Sequence, residues 1–215
     1  MAAKKPAVGK SLVYTPLNPR QHTVRDRWRD SRLLVLTGEA GTGKTTAALG
    51  EAVSDVFAGR ARKVYLSRPV VPVDEEYGFL PGDLQEKFRP WMGAFADVLG
   101  DLSNTTLESL AEVVELIPLG MLRGRTLKHG TLIVDEAQNA TWNQLVLAGS
   151  RCGQGGRVVL CGDPAQSDVV WDGEVPLVRL ARRCRRVAAA EWVQFLSADQ
   201  RRDPFLTEFL AAVAD

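Results

Sequence analysis

Six short apolar runs punctuate this chain: Leu33 to Leu36, Lys63 to Leu66, Val113 to Ile117, Thr131 to Asp135, Val158 to Cys161 and Trp192 to Leu196. Runs of four or five residues without polar alternation are the pattern of strands covered on both faces. Between them the period changes to that of a helix. Leu49, Ala52, Val53 and Val56 share one face, as do Leu177, Leu180, Ala181 and Cys184 within residues 174–186. Gln21, Val24 and Trp28 predict a short helix over 20–32, Leu84 to Leu99 one or two more, and Pro204 to Val213 a closing helix. Strands alternating with helices predict an α/β fold, a doubly wound and mostly parallel sheet with helices on both faces. Residues 1–18, with Lys, Gly and two prolines, are expected to be a flexible basic arm, and 19–215 a single domain.

Composition narrows the picture only at a few points. The chain of 215 residues, 45% hydrophobic and 25% charged, is near the globular average and long enough for a full core. Its net charge of +1 is unevenly spread, because residues 1–32 hold eight Lys/Arg against Asp26 and Asp30. Cys152, Cys161 and Cys184, odd in number and without C-x-x-C spacing, argue against a disulfide framework or a zinc site, and a cytoplasmic location is expected. No run reaches the ~18 apolar residues of a membrane span.

The first strand breaks into Gly38-Glu39-Ala40-Gly41-Thr42-Gly43-Lys44-Thr45-Thr46, which fits G-x-x-x-x-G-K-[ST]. Glycines let the loop turn its amides inward around a phosphate, and the helix that follows adds the positive end of its dipole. Lys44 is then placed for the β- and γ-phosphates, and the Thr45 hydroxyl for Mg²⁺. The fourth run ends in Asp135-Glu136. In a parallel sheet, strand ends share one edge, so Asp135 is expected at the metal held by Thr45 and Glu136 as acceptor of the attacking water's proton. Standing alone, such a pair is equally a strand-to-helix cap. The fifth run ends in Gly162-Asp163-Pro164-Ala165-Gln166, where Asp163 and Gln166 are read as γ-phosphate sensors, against the plainer alternative of an N-cap with a solvent-facing amide. Gln21 offers a donor and an acceptor side by side, as adenine recognition needs, though a lone Gln is more often a surface residue. The helix over 174–186 sets Arg179, Arg182, Arg183 and Arg186, with Arg185, opposite its apolar face and without a nearby acid, which favours an anionic partner or a neighbouring subunit.

Taken together these motifs resemble the PhoH family, ATPases whose fold is similar to the RecA-like core of superfamily-one helicases. The resemblance runs from about Pro19 to the C-terminus on five blocks: GEAGTGKTT (38–46), RPVVP with GFLPGDLQEK (68–72 and 78–87), PLGMLRGRTL (118–127), DEAQNAT (135–141) and GDPAQSD (162–168). It implies that residues 38–46 bind ATP phosphates and Mg²⁺, that Asp135 and Glu136 ligate metal and activate water, and that Gln138 and Gln166 lie near the γ-phosphate. It also places Gln21 where the adenine-reading glutamine stands. The segment DQRRDP (199–204) is similar to the family's Asp-Val-Val-Arg-His-Pro and points to Arg202, or its neighbour Arg201, as the γ-phosphate arginine. A ring, most naturally a hexamer, acting on single-stranded RNA or DNA follows from the same resemblance. The stretch ahead of residue 19 is too short for the PIN nuclease domain that some relatives carry, so no ribonuclease activity is expected of this chain.

Overall fold

The computed structural model describes residues 14–69, 113–200 and 205. The helices expected over 84–99 and, apart from Phe205, over 204–213 lie outside them. Six strands form one sheet among the described residues: β1 Leu33–Thr37, β2 Lys63–Ser67, β3 Val114–Leu116, β4 Gly130–Val134, β5 Arg157–Gly162 and β6 Ala190–Gln194. Their spatial order is β3-β2-β4-β5-β1-β6, and every neighbouring pair is parallel. Four α-helices accompany them among the described residues: α1 Pro19–Trp28, α2 Lys44–Phe57, α3 Trp142–Ser150 and α4 Pro176–Cys184.

The two-residue repeat of the strands sorts the core into two layers. Leu34, Leu36, Ile133, Val159 and Cys161 face α1 and α2, together with Val24, Trp28, Leu49 and Val53. Val35, Leu132, Val134, Val158 and Leu160 face the other way, onto Leu145 and Ala148 of α3 and Leu177 and Ala181 of α4. Each of the fully buried Val, Leu and Ile side chains contributes about 1.5–3 kcal/mol. The doubly wound parallel sheet expected from the apolar runs is therefore present, with boundaries moved by one or two residues. The last strand shifts most: Ala190 belongs to it, and Phe195 lies beyond its end.

The helices begin where the local chemistry dictates. Asn18 caps α1 by accepting from Gln21 N, and Pro19 takes the first helical position, where its missing N–H costs nothing. Thr141 and Gln144 form a reciprocal capping box on α3. One expectation fails at the start of the chain. Tyr14, Pro16 and Asn18 are buried rather than part of a mobile arm. The Tyr14 ring lies where a Cβ on Gly50 would sit, 2.3 Å from its Cγ, so the glycine inside α2 makes room for it.

Asp55 gathers a cluster of charges beside α1 and α2. Asp55 accepts from Trp28 Nε1 (2.8 Å), Arg60 Nε (2.6 Å) and Arg157 Nη1 (3.1 Å), while the Arg157 guanidinium lies 4.3 Å from the Trp28 ring centroid. Burial lowers the Arg157 pKa from its ordinary value and Asp55 opposes that shift. Removing the carboxylate would leave a largely buried cation unpaired. Asp55→Ala should therefore destabilise the fold by about 3–5 kcal/mol, read as a lowered urea midpoint. A loss under about 1 kcal/mol would show that the cluster is redundant.

Candidate active site

The site follows from the strand order. β5 lies between β4 and β1, with Val134 level with Leu160 and Leu160 level with Val35. The residues that leave these three strands, Asp135, Asp163 and Gly38, consequently emerge at one edge of the sheet. Asp135 and Asp163 border a cleft of about 270 Å³ lined also by Gly41, Lys44, Thr45, Thr46, Glu136 and Gln166, among others.

Three glycines shape the phosphate loop: Gly38, Gly41 and Gly43 have φ of +140°, +78° and +83°. At Gly38 and Gly43 space is also closed to a side chain. A Cβ on Gly38 would stand 2.4 Å from Phe195 O, and one on Gly43 2.2 Å from Gln21 Nε2. Gly43 is the N-cap of α2 and supplies no side-chain acceptor, so the first-turn amides of a 14-residue helix are left for another acceptor. Lys44 folds back over the loop and donates to Gly38 O and Glu39 O, both at 2.7 Å. Burial lowers its pKa, and the nearby Cys161, Asp163, Asp135 and Glu136 oppose the shift.

Thr45 donates its hydroxyl to Asp135 Oδ1 at 2.7 Å. Burial pushes the Asp135 carboxyl above its ordinary range; the Thr45 hydrogen bond acts against this, and the neighbouring Glu136 charge adds to it. A hydroxyl and a carboxylate in contact, both oxygen donors beside a lysine, form a set suited to a hard divalent cation. Glu136 itself sits at φ +50°, a conformation unusual for a residue with a side chain. Its Oε2 accepts from Gln138 Nε2 at 2.6 Å, and its Oε1 is 3.6 Å from Arg68 Nη2.

Several expected residues are placed differently from their sequence reading. Gln138 is 1% exposed and works as a strut: its Oε1 accepts from Asp163 N (3.0 Å), and its Nε2 donates to Glu136 and to Gln166 O (3.3 Å). Asp163 continues the chain, accepting from Ala40 N at 3.1 Å and from Ala165 N at 3.0 Å. The helix-cap alternative and a phosphate-loop contact are thus both met by one carboxylate. Gln21 is 3% exposed, accepts from Leu17 N at 2.6 Å and donates to Gly43 O at 3.2 Å, so its amide braces the loop. Glu39 turns its carboxylate to Ser197 Oγ and to Gln200 Nε2, the latter at 2.7 Å. The Thr42 hydroxyl donates to Glu39 O at 2.7 Å. Gln166 is exposed at the cleft, and Arg201 and Arg202 lie outside the described residues.

Two contributors escaped the sequence reading. Arg68, at the end of β2, reaches Glu136, and its only trace in the sequence is its place in the RPVVP block. Asn18 donates to Thr42 O and to Asp199 O, both at 3.0 Å, and so links the loop to the turn after β6. The Asn-Pro pair that marks it as a helix cap was a legible signal.

The packing of Gln21 against Gly43 can be tested directly. Gly43→Ala should cost about 1–3 kcal/mol from the left-handed φ alone, with the clash on Gln21 Nε2 in addition. Urea unfolding of Gly43→Ala and of the Gln21→Ala/Gly43→Ala pair should show the second change recovering part of the loss. No recovery would mean that the two side chains do not collide.

The family model described as PhoH-like protein matches residues 13–214. A PhoH-like protein of Bacillus subtilis (strain 168) is 33% identical over 211 residues, 97% of this chain and 66% of that protein. Protein PhoH of Escherichia coli (strain K12) is 36% identical over 143 residues, 64% of this chain and 40% of that protein. The chain thus spans less than two thirds of the length of either relative. Among solved structures, the Pif1 helicase of Candida albicans matches with a TM-score of 0.44 and 14% identity, over 94% of this chain and 44% of that one. No helix among the described residues is long and apolar enough to cross a membrane. With a family model covering nearly the whole sequence and a phosphate loop built onto a parallel sheet, this chain belongs to the PhoH-like protein family.

Proposed function

We propose that residues 19–215 form an Mg²⁺-dependent ATPase that couples hydrolysis to movement on, or remodelling of, single-stranded nucleic acid, RNA in preference to DNA, within a ring of six subunits. The observation that carries the catalytic part is the contact of Thr45 with Asp135, which joins the phosphate loop to the acidic strand end. Thr45 and Asp135 would hold the Mg²⁺, which supplies charge neutralisation at the terminal phosphates. The loop amides from Gly38 to Thr46 receive the phosphates, and Lys44 exchanges its bonds to Gly38 O and Glu39 O for phosphate oxygens. Water adds to the γ-phosphorus, the bond to the β-bridging oxygen breaks, and Glu136 takes the water's proton. Gln166 faces the cleft in a position to orient that water or the γ-phosphate. Arg202, or Arg201, is assigned the arginine that offsets transition-state charge, within the subunit or across to the next one. In such a ring each neighbouring subunit would supply a second wall over the nucleotide.

A second reading has its own support. Both Glu136 oxygens are engaged, one by Gln138 and one by Arg68, and a base held in this way abstracts protons slowly. The chain would then be an ATP-binding assembly module with little turnover.

Phosphate release with MgATP, measured with and without single-stranded RNA, separates the two. Under the first reading Glu136→Gln should lower kcat by about 10²–10⁴-fold while leaving ATP affinity near that of the parent chain, and Lys44→Ala should abolish binding. Tight ATP binding with equal, negligible turnover in parent and variant would instead support the assembly module.

A further inference from the structure

The outer face made by α3 and α4 has a charge arrangement that the nucleotide site does not use. Arg179, Arg182, Arg183, Arg185 and Arg186 are all exposed along α4 and just past its end. The absence of a nearby acid expected from the sequence is corrected for one of them: Glu174 pairs with Arg182 at 2.8 Å. Arg185 lies 5.2 Å from the Trp192 ring centroid. Arg179 and Arg183, one turn apart, both lie over the ring of Trp142 on α3, at 4.8 and 5.1 Å from its centroid. Among the described residues neither has an ion-pair partner.

A guanidinium stacked on an aromatic ring uses its flat face and keeps its edge N–H donors available. Stacking also restricts two long side chains before any ligand arrives, so less rotamer freedom is lost on binding. Their Cα positions rise about 6 Å apart along the helix, and two fixed like charges at that spacing repel unless an anion lies across both. The basic character continues past α3 to the exposed Arg123, next to the turn Leu119–Leu122 that packs on that helix. An extended ligand with repeated charges fits this layout better than a single small anion. The opposite side of the sheet differs, since its acids Glu51 and Asp55 are paired internally with Arg25, Arg60 and Arg157.

We propose that the α3–α4 face, centred on Trp142 beneath Arg179 and Arg183, binds the phosphodiester backbone of single-stranded nucleic acid. The proposal rests on the nucleic-acid-directed reading above and gives it a location. It also gives that ligand a route to the chemistry. Trp142 opens α3 directly after the turn Ala137–Asn139, which carries the Gln138 that holds Glu136.

The test uses the full chain and a fluorescein-labelled oligouridylate, with anisotropy followed over a range of salt. Arg179→Ala/Arg183→Ala should weaken binding by about tenfold or more, and should reduce the slope of log affinity on log salt by about 1.4, from ~0.7 per phosphate contact on a single strand. Trp142→Leu, which frees both guanidiniums, should weaken binding with a smaller change in slope. Arg27→Ala/Arg29→Ala, at the C-terminal end of α1 across the sheet, should leave both quantities near the parent values. Parent-like binding by the Arg179/Arg183 variant would overturn this location while leaving the nucleic-acid reading intact. Absence of binding by the parent chain would overturn both. Two further results count against the proposal: equal loss of affinity for a labelled polyglutamate, which would mark a general polyanion or protein surface, and a change of oligomer size by light scattering, which would mark a subunit contact.

Discussion

The hydrogen bond between Thr45 and Asp135 depends on a strand that contributes neither residue. β5 separates the two parent strands and fixes their register, so that the ends of β1 and β4 open onto the same edge of the sheet. The apolar runs make this possible. A strand covered on both faces must be flanked by strands of the same kind, and parallel pairing sends all their carboxyl ends the same way. The charged and polar groups that follow those ends are brought together because the sheet beneath them is buried.

Once placed, the phosphate loop is held by residues from both ends of the described chain. Asn18 and Gln21 brace it from the segment before β1, and Ser197 and Gln200 grip Glu39 from the turn after β6. The loop's conformation and the position of the turn at Ser197 to Gln200 are therefore joined through one carboxylate, Glu39. On the far side, Ala40, Asp163, Gln138 and Glu136 form a continuous chain of hydrogen bonds from loop amide to acidic strand end. A polar network of this kind rigidifies what it connects, since each unmade bond in a buried setting is costly.

Several roles assigned by motif position become bracing roles in the structure. The amides of Gln21 and Gln138 are satisfied by protein partners, and both residues are nearly inaccessible. Arg68 shows the reverse case, an unassigned residue that reaches the centre of the site because β2 lies next to β4. The amphipathic split of α4 holds, with Leu177, Ala181 and Cys184 inside and the arginines outside. What its sequence could not disclose is that two of those arginines meet a tryptophan on another helix.

The sequence by itself determined the six strands, three of the described helices (α1, α2 and α4) and the residues that leave the strands, whereas α3 was not read from it. Apolar runs and helical periods are local, and so is the need for glycine at positive φ in the phosphate loop. Partnership was decided only by tertiary structure. Gln138 is a strut because Asp163 N and the Glu136 carboxylate lie within hydrogen-bonding distance of one buried amide. Tyr14 is core rather than tail because Gly50 leaves a hollow on α2. An amide or a guanidinium carries the same donors in any setting, and which acceptor it meets depends on strand order and packing that no stretch of the chain contains alone.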